Sequence, residues 1–167
     1  MRSINIMPPD PVNGHGKDII VCDLDGTLCD ISHRTHWVQV PSGVRKNWDA
    51  FFSEVPNDTV NEAVAEVLER FQDKYKIIFC SGRPERCRSD TMQWLHEHTD
   101  LFNYDKELYL YMREDGDFRR DDIVKQEILY KYIDRDRVLF VLDDRDQVVD
   151  MWRRNGLHCF QVAEGDF

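Results

Sequence analysis

Asp23 and Asp25 stand one residue apart where the apolar run Ile19-Ile20-Val21-Cys22 gives way to Gly26-Thr27. Two carboxylates at that spacing, followed by a glycine that lets the chain turn, suit a divalent cation and a phosphate together. The same five residues also describe a buried strand ending in an acidic turn, because the motif is short. Other polar residues close apolar runs further along. Ser81 follows residues 76–80, Asp143-Asp144 follow residues 138–142, and Lys125 begins an otherwise inward-facing helical row. Taken singly, Ser81 reads equally as a turn residue, Asp143 and Asp144 as a helix N-cap, and Lys125 as a surface lysine. Together they supply a nucleophile candidate, a hydroxyl, a cation and several carboxylates.

These groups need elements that bring them to one place. Short runs buried on both faces belong to parallel sheets, whose carboxyl edge holds ligands in open α/β folds. Residues 18–23, 76–80, 108–112, 138–142 and 158–162 read as such strands. Helical spacing marks residues 59–73, residues 84–98 with Pro84 in the first turn, and the stripes Val124/Ile128/Tyr132 and Val148/Val149/Trp152, the last closed by Gly156. The alternation predicts an α/β fold, a Rossmann-like parallel sheet with helices on both faces. Residues 30–58 are too long and irregular for a connector and read as a small cap inserted after the first strand. Its Trp37, Trp48, Phe51 and Phe52 lie among cations. They either stack on a base or sugar or form the cap's own core. Residues 1–17 read as a loose tail, leaving 18–167 as one domain.

Bulk properties narrow the function. The 167 residues carry a net charge of −10, which argues against broad coating of nucleic acid but leaves room for one phosphate in a local basic pocket. Five cysteines, an odd number with no Cys-x-x-Cys pair, point to a reducing compartment. No signal-like N-terminus and no apolar run approaching ~18 residues is present, so the expected location is the cytoplasm and no membrane contact is foreseen.

At these residues the chain resembles the haloacid dehalogenase superfamily of phosphotransferases. Asp23-Leu24-Asp25-Gly26-Thr27 is similar to its first motif, Ser81 to its second, Lys125 to its third and Asp143-Asp144 to its fourth. A narrower likeness is to the 3′-phosphatase domain of bacteriophage polynucleotide kinase. It rests on Ser81-Gly82-Arg83, the run Glu114 to Asp122 with Lys125, Asp143-Asp144-Arg145 through Val149, Met151 to Arg154, and the ending Gln161-Val162-Ala163 with Gly165-Asp166-Phe167. Arg34, nine residues after Asp25, falls where that family has a functional arginine. The family's P-loop kinase domain has no counterpart here, so kinase activity is not carried over. The cap matches poorly outside Arg34.

The resemblance implies a Mg²⁺-dependent phosphatase acting on 3′-phosphates of DNA or RNA ends, in the host cytoplasm if the gene is a phage's, beside a separate kinase or ligase. Asp23 would be the nucleophile and Asp25 the general acid and base, a role expected to need a raised pKa. Ser81 and Lys125 would bind the phosphoryl oxygens. Arg34 and Arg83 would clamp further oxygens, with Thr27 and Gly82 also at the substrate. Asp23, Asp143, Asp144 and the Asp25 main-chain carbonyl would hold the metal. Asp121 and Asp122 would either hold Lys125 or a clamp arginine in place, or cap the helix. A small-molecule nucleotide phosphatase of the same fold, or a non-catalytic phosphate-binding module, are the competing readings.

Overall fold

The computed structural model of the protein describes residues 14–101 and 108–165. Residues 1–13 of the expected tail lie outside that range, while Lys17 Nζ donates to the Val138 carbonyl at 3.0 Å. In chain order, β1 (Ile19–Cys22) leads through Gly26 into β2 (Cys29–Asp30) and a 3-10 turn over Ser32–Trp37. Then come α1 (Trp48–Ser53), a second 3-10 turn over Val55–Asn57, and β3 (Thr59–Val60), which pairs antiparallel with β2. From there strands and helices alternate. They are α2 (Glu62–Phe71), β4 (Lys76–Pro84), α3 (Arg88–His98), β5 (Tyr109–Arg113), α4 (Asp121–Tyr132), β6 (Val138–Asp143), α5 (Asp146–Arg154) and β7 (Cys159–Gln161).

The five long-range strands form one parallel sheet in the order β5-β4-β1-β6-β7. The chain starts in the middle, builds out to β5, then returns to build out to β7. Strand order therefore reverses at β1, which is where open sheets leave a crevice at their carboxyl edge. Side chains alternate across each strand, and β1 shows the consequence. Ile20 and Cys22 pack with Val64, Leu68, Trp94 and Leu95 of α2 and α3. Ile19 and Val21 pack with Val124, Ile128, Val148 and Trp152 of α4 and α5. Helices thus cover both faces, in the haloacid dehalogenase-like arrangement expected. The five cysteines are buried as free thiols within these layers. No helix of the described residues is long and apolar enough to cross a membrane.

Two boundaries differ from the periodicity. The helix expected over 59–73 starts only at Glu62, because Thr59 and Val60 are drawn into the ladder with β2. Pro84 does not open a helix; it ends β4 with ψ 154° and pairs with Arg113 across a register shift. A 3-10 turn over Glu85–Cys87 intervenes before α3. Ladder pairing to β5 and the buried ion pairs of Arg83 hold this stretch extended against its local helix signal.

Trp94 ties the sheet's flanking helix to the cap segment. Its indole N–H donates to the Asp58 carbonyl at 2.8 Å, fully buried. Trp94→Phe keeps most of the ring but leaves that carbonyl unpaired. A loss of about 1–3 kcal/mol is expected, read as a lower urea midpoint at unchanged slope.

Candidate active site

Asp23 follows β1 directly, and Asp143 closes β6, the strand beside it. Both are buried, and their carboxylates are bridged by one ammonium. Lys125 Nζ, 1% exposed, donates to Asp23 Oδ1 at 2.8 Å and to Asp143 Oδ2 at 3.0 Å. Asp121, one turn back on α4, lies 3.5 Å from the same nitrogen. Burial works against the charge of Lys125, but Asp121, Asp143 and Asp23 outweigh it and raise its pKa. Asp143 Oδ1 accepts main-chain N–H groups from Asp144 and Arg145, and Oδ2 accepts the Trp152 indole N–H at 3.0 Å. Neither acid caps α5, and Asp121 does not cap α4 with its side chain. Instead Asp121 also accepts from Arg113 at 3.2 Å, and Asp122 pairs with exposed Arg120.

Close approach explains two glycines. Gly26 has φ +86°, and a Cβ there would run into the Asp144 carboxylate. At Gly82 a Cβ would run into the carboxylate of Asp121. Ser81 is buried at the same edge of β4, where its Oγ accepts the Arg83 main-chain N–H at 3.2 Å. Thr27 is buried too, and its hydroxyl donates to Asp144 Oδ1 at 3.0 Å.

The other half of the site is built on arginine. Arg34 and Arg83 are buried, and both guanidinium groups donate to Asp25 Oδ1, from Arg34 Nη2 at 2.7 Å and Arg83 Nε at 2.8 Å. Burial pushes the Asp25 carboxyl up, but the two arginines overcome it and hold the pKa at about 2. A raised value was expected for this residue. The correction comes from charges delivered by the cap segment and β4, which sequence spacing does not reveal. Asp58 anchors both arginines from behind. It takes a two-pronged pair from Arg34 at 2.6 and 2.7 Å, and Arg83 Nη2 at 2.8 Å. His33 Nε2 lies 2.9 Å from Asp58 as well. Asp58 was not among the expected site residues. It sits in Pro56-Asn57-Asp58, which reads as an ordinary turn. Trp152 was read as a helix-face residue and as part of the Met151-Trp152-Arg153-Arg154 run of the family likeness; its contact to Asp143 has no local signal.

Asp23, Asp143 and Asp144 bring carboxylate oxygens within 4.8 Å of one another. An all-oxygen donor set of this kind suits a hard divalent cation. One ammonium faces these three acids. Burial first, then Asp143, raises Asp144 to about 6, and burial raises Asp23 as well. Both acids thus hold protons more tightly than usual, as expected where negative charge is incompletely offset. The Asp25 carboxylate stands apart from this group, on the arginines. Over the site opens a cavity of about 570 Å³, whose lining includes Asp23, Asp25 and Gly82, the cap residues Trp48 and Phe52, and the loop residue Phe118.

A parallel α/β sheet with acids, a lysine and a serine at its switch point defines a phosphoryl-transfer protein of the haloacid dehalogenase superfamily. More narrowly, the chain belongs to the family of the polynucleotide kinase PNKP phosphatase domain, whose model matches residues 17–167, and is a phosphatase. It is 35% identical to a chain in the structure of the Pnkp1/Rnl/Hen1 RNA repair complex, with a TM-score of 0.69, over 99% of this chain and 48% of that one. A putative bifunctional polynucleotide kinase/RNA ligase of Autographa californica nuclear polyhedrosis virus is 27% identical over 86% of this chain and 19% of its own length. A haloacid dehalogenase-like hydrolase from Streptococcus pneumoniae shares the fold at 15% identity, with a TM-score of 0.61 and coverage of 87% and 84%. The chain spans about half the length of the repair-complex chain and a fifth of the viral relative.

Gly82→Ala tests the packing of Asp121. The new methyl must push that carboxylate away from Arg113 and from Lys125, which loses one of the three acids around it. Phosphatase activity is expected to fall on the order of 10²-fold with the far-ultraviolet circular dichroism spectrum unchanged.

Proposed function

We propose that the protein is a Mg²⁺-dependent phosphomonoesterase that removes 3′-phosphates from DNA or RNA ends through an aspartyl-phosphate. The observation that carries this reading is the position of Asp23. It is a buried carboxylate 2.8 Å from Lys125 and grouped with Asp143 and Asp144, two residues from an acid gripped by two arginines. The family and the RNA repair complex among its relatives support a polynucleotide substrate. The viral relative, by its name a kinase and ligase, supports a partner enzyme of either kind.

Asp23, Asp143 and Asp144 would hold Mg²⁺ through their side chains, with the Asp25 main-chain carbonyl beside them. When bound, the ion offsets the like charges of the Asp23 carboxylate and the phosphate dianion. An Asp23 oxygen attacks phosphorus, and the bond from phosphorus to the 3′-oxygen breaks. Asp25 gives a proton to that oxygen, releasing the 3′-hydroxyl. It then takes a proton from the water that attacks the aspartyl-phosphate, freeing inorganic phosphate and restoring Asp23. Ser81 and Lys125 bind oxygens whose charge grows in the transition state. Arg34 and Arg83 leave Asp25 for the incoming phosphate, since guanidinium grips two oxygens at once. As they give up their hydrogen bonds to Asp25, the burial that pushes its carboxyl up counts for more and moves its pKa toward the range a general acid needs.

Phosphate release from a 3′-phosphorylated oligonucleotide and from mononucleotides decides the substrate. Asp23→Asn is expected to abolish turnover of the oligonucleotide and Asp25→Asn to lower kcat by ~10²–10⁴. Equal or better turnover of mononucleotides by the natural protein defeats the polynucleotide reading.

The ion has its own test. The folded pKa of Asp144, about 6, lies above the ordinary 3.8. Ionising it therefore costs stability, and the penalty is present above about pH 6 and relieved below it as the group takes up a proton. Mg²⁺ binds the ionised form, so the rise in Tm on adding Mg²⁺ is expected to be larger at pH 7.5 than at pH 5. Thermal scans with and without chelator check this; a rise no larger at pH 7.5 than at pH 5 contradicts it.

A further inference from the structure

Phe118 is 92% exposed and lines the cavity above Asp23 and Asp25. The loop that carries this ring is built rather than slack. Arg113 Nη1 donates to the carbonyls of Asp117 and Arg119, at 3.1 and 2.7 Å, on either side of Phe118. Arg113 Nε donates to the Gly82 carbonyl at 2.9 Å. The Asp117 carboxylate accepts the Arg119 main-chain N–H at 3.0 Å. The main chain on either side of an exposed apolar ring is thus fixed relative to the edge of the sheet.

A second aromatic surface reaches the same cavity from the cap segment. The guanidinium of Arg34, which donates to Asp25, lies 4.2 Å from the centre of the Phe51 ring. Phe51 meets Trp48 edge-on at 5.6 Å, and Trp48 stacks with Phe52 at 5.9 Å and 23°. Lys46 sits over Trp48 at 5.6 Å. Phe51 is buried, while Trp48 is 40% exposed and lines the cavity. The aromatic ladder therefore runs from the arginine at the phosphate end to an indole in contact with solvent.

A phosphomonoester whose phosphorus reaches Asp23 must leave the rest of itself in this cavity. Aromatic surface that is wet in the free protein, most of Phe118 and the part of Trp48 that Phe52 and Lys46 leave uncovered, matches a flat group with π faces of its own. We propose that Trp48 and Phe118 form a stacking subsite for the nucleobase of the nucleotide that carries the 3′-phosphate. The inference rests on the 3′-phosphatase reading and adds the part of the substrate that the cap and the Glu114–Phe118 loop select. Stacking is tolerant of sequence because every base has a π face, so the subsite selects for the presence of a base and not its identity.

The test compares two 3′-phosphorylated oligonucleotides, one ordinary and one whose terminal residue is a stable abasic analogue. The readout is the ratio of their kcat/KM values. The natural protein is expected to favour the ordinary end by roughly 10- to 100-fold, the range of a single base–aromatic stack. Phe118→Ala and Trp48→Ala should each shrink that ratio several-fold, chiefly through KM, and Trp48→Phe should restore most of it. A ratio near one in the natural protein overturns the subsite while leaving the 3′-phosphatase reading intact. So does a fall of both substrates by the same factor in the variants, or no fall at all. Failure of the natural protein to release phosphate from either end removes the 3′-phosphatase reading, and this subsite with it.

Discussion

The ammonium of Lys125 joins three carboxylates that arrive on three different elements. Asp23 comes from the end of β1, Asp143 from the end of β6 and Asp121 from the same helix as the lysine. Ionised acids buried side by side need a cation, and a charged lysine buried beside them needs acids. Each therefore makes the others tolerable, and removing one member of such a buried set typically costs about 3–5 kcal/mol. Gly82 follows from this packing, since it lies against Asp121; Gly26 lies against Asp144, which adjoins the set.

The acid-rich half faces an arginine-rich half, and the division suits a phosphate. One side gathers Asp23, Asp143 and Asp144, a donor set that suits a cation. The other gathers Arg34 and Arg83 around Asp25, where the proposed reaction would put phosphate oxygens. Asp25 and Asp58 together make two adjacent buried guanidinium groups stable, and Asp58 is tied in turn to α3 through Trp94. The cap segment is thereby fastened to the sheet through ion pairs and one indole, not through apolar packing alone. Its fastening and the charge state of Asp25 are consequently one problem: whatever moves Arg34 or Arg83 changes both.

An acidic protein with a polyanion as its proposed substrate is a smaller paradox than its net charge of −10 suggests. Lys46, Arg86, Arg113, Arg119, Arg120 and Arg145 all line the cavity. Several are already paired, Arg119 with Asp117 and Glu127, Arg120 with Asp122 and Arg86 with Asp49. The mouth is thus polar and near balance instead of strongly positive. Under the proposed function such a surface would recognise a chain end by local fit, with aromatic contact supplying what a long-range field does not.

Period and chain direction were legible in the residues alone. Apolar runs of strand length alternating with helical stripes determined the parallel sheet. Since parallel strands share one carboxyl edge, the polar residues that close them had to meet. That is why the gathering of Asp23, Asp143 and Lys125, with Ser81 at the same edge, could be read before any fold was seen. Tertiary structure decided what period does not encode. Asp58 pairs with Arg34 across 24 residues and with Arg83 across 25, Val60 joins a ladder in place of a helix, and Pro84 stays extended beside β5. The low pKa of Asp25 belongs to the same class. A carboxyl's proton affinity depends on which charges surround it in space, and two cations brought from the cap and from β4 reversed the sign expected from burial alone.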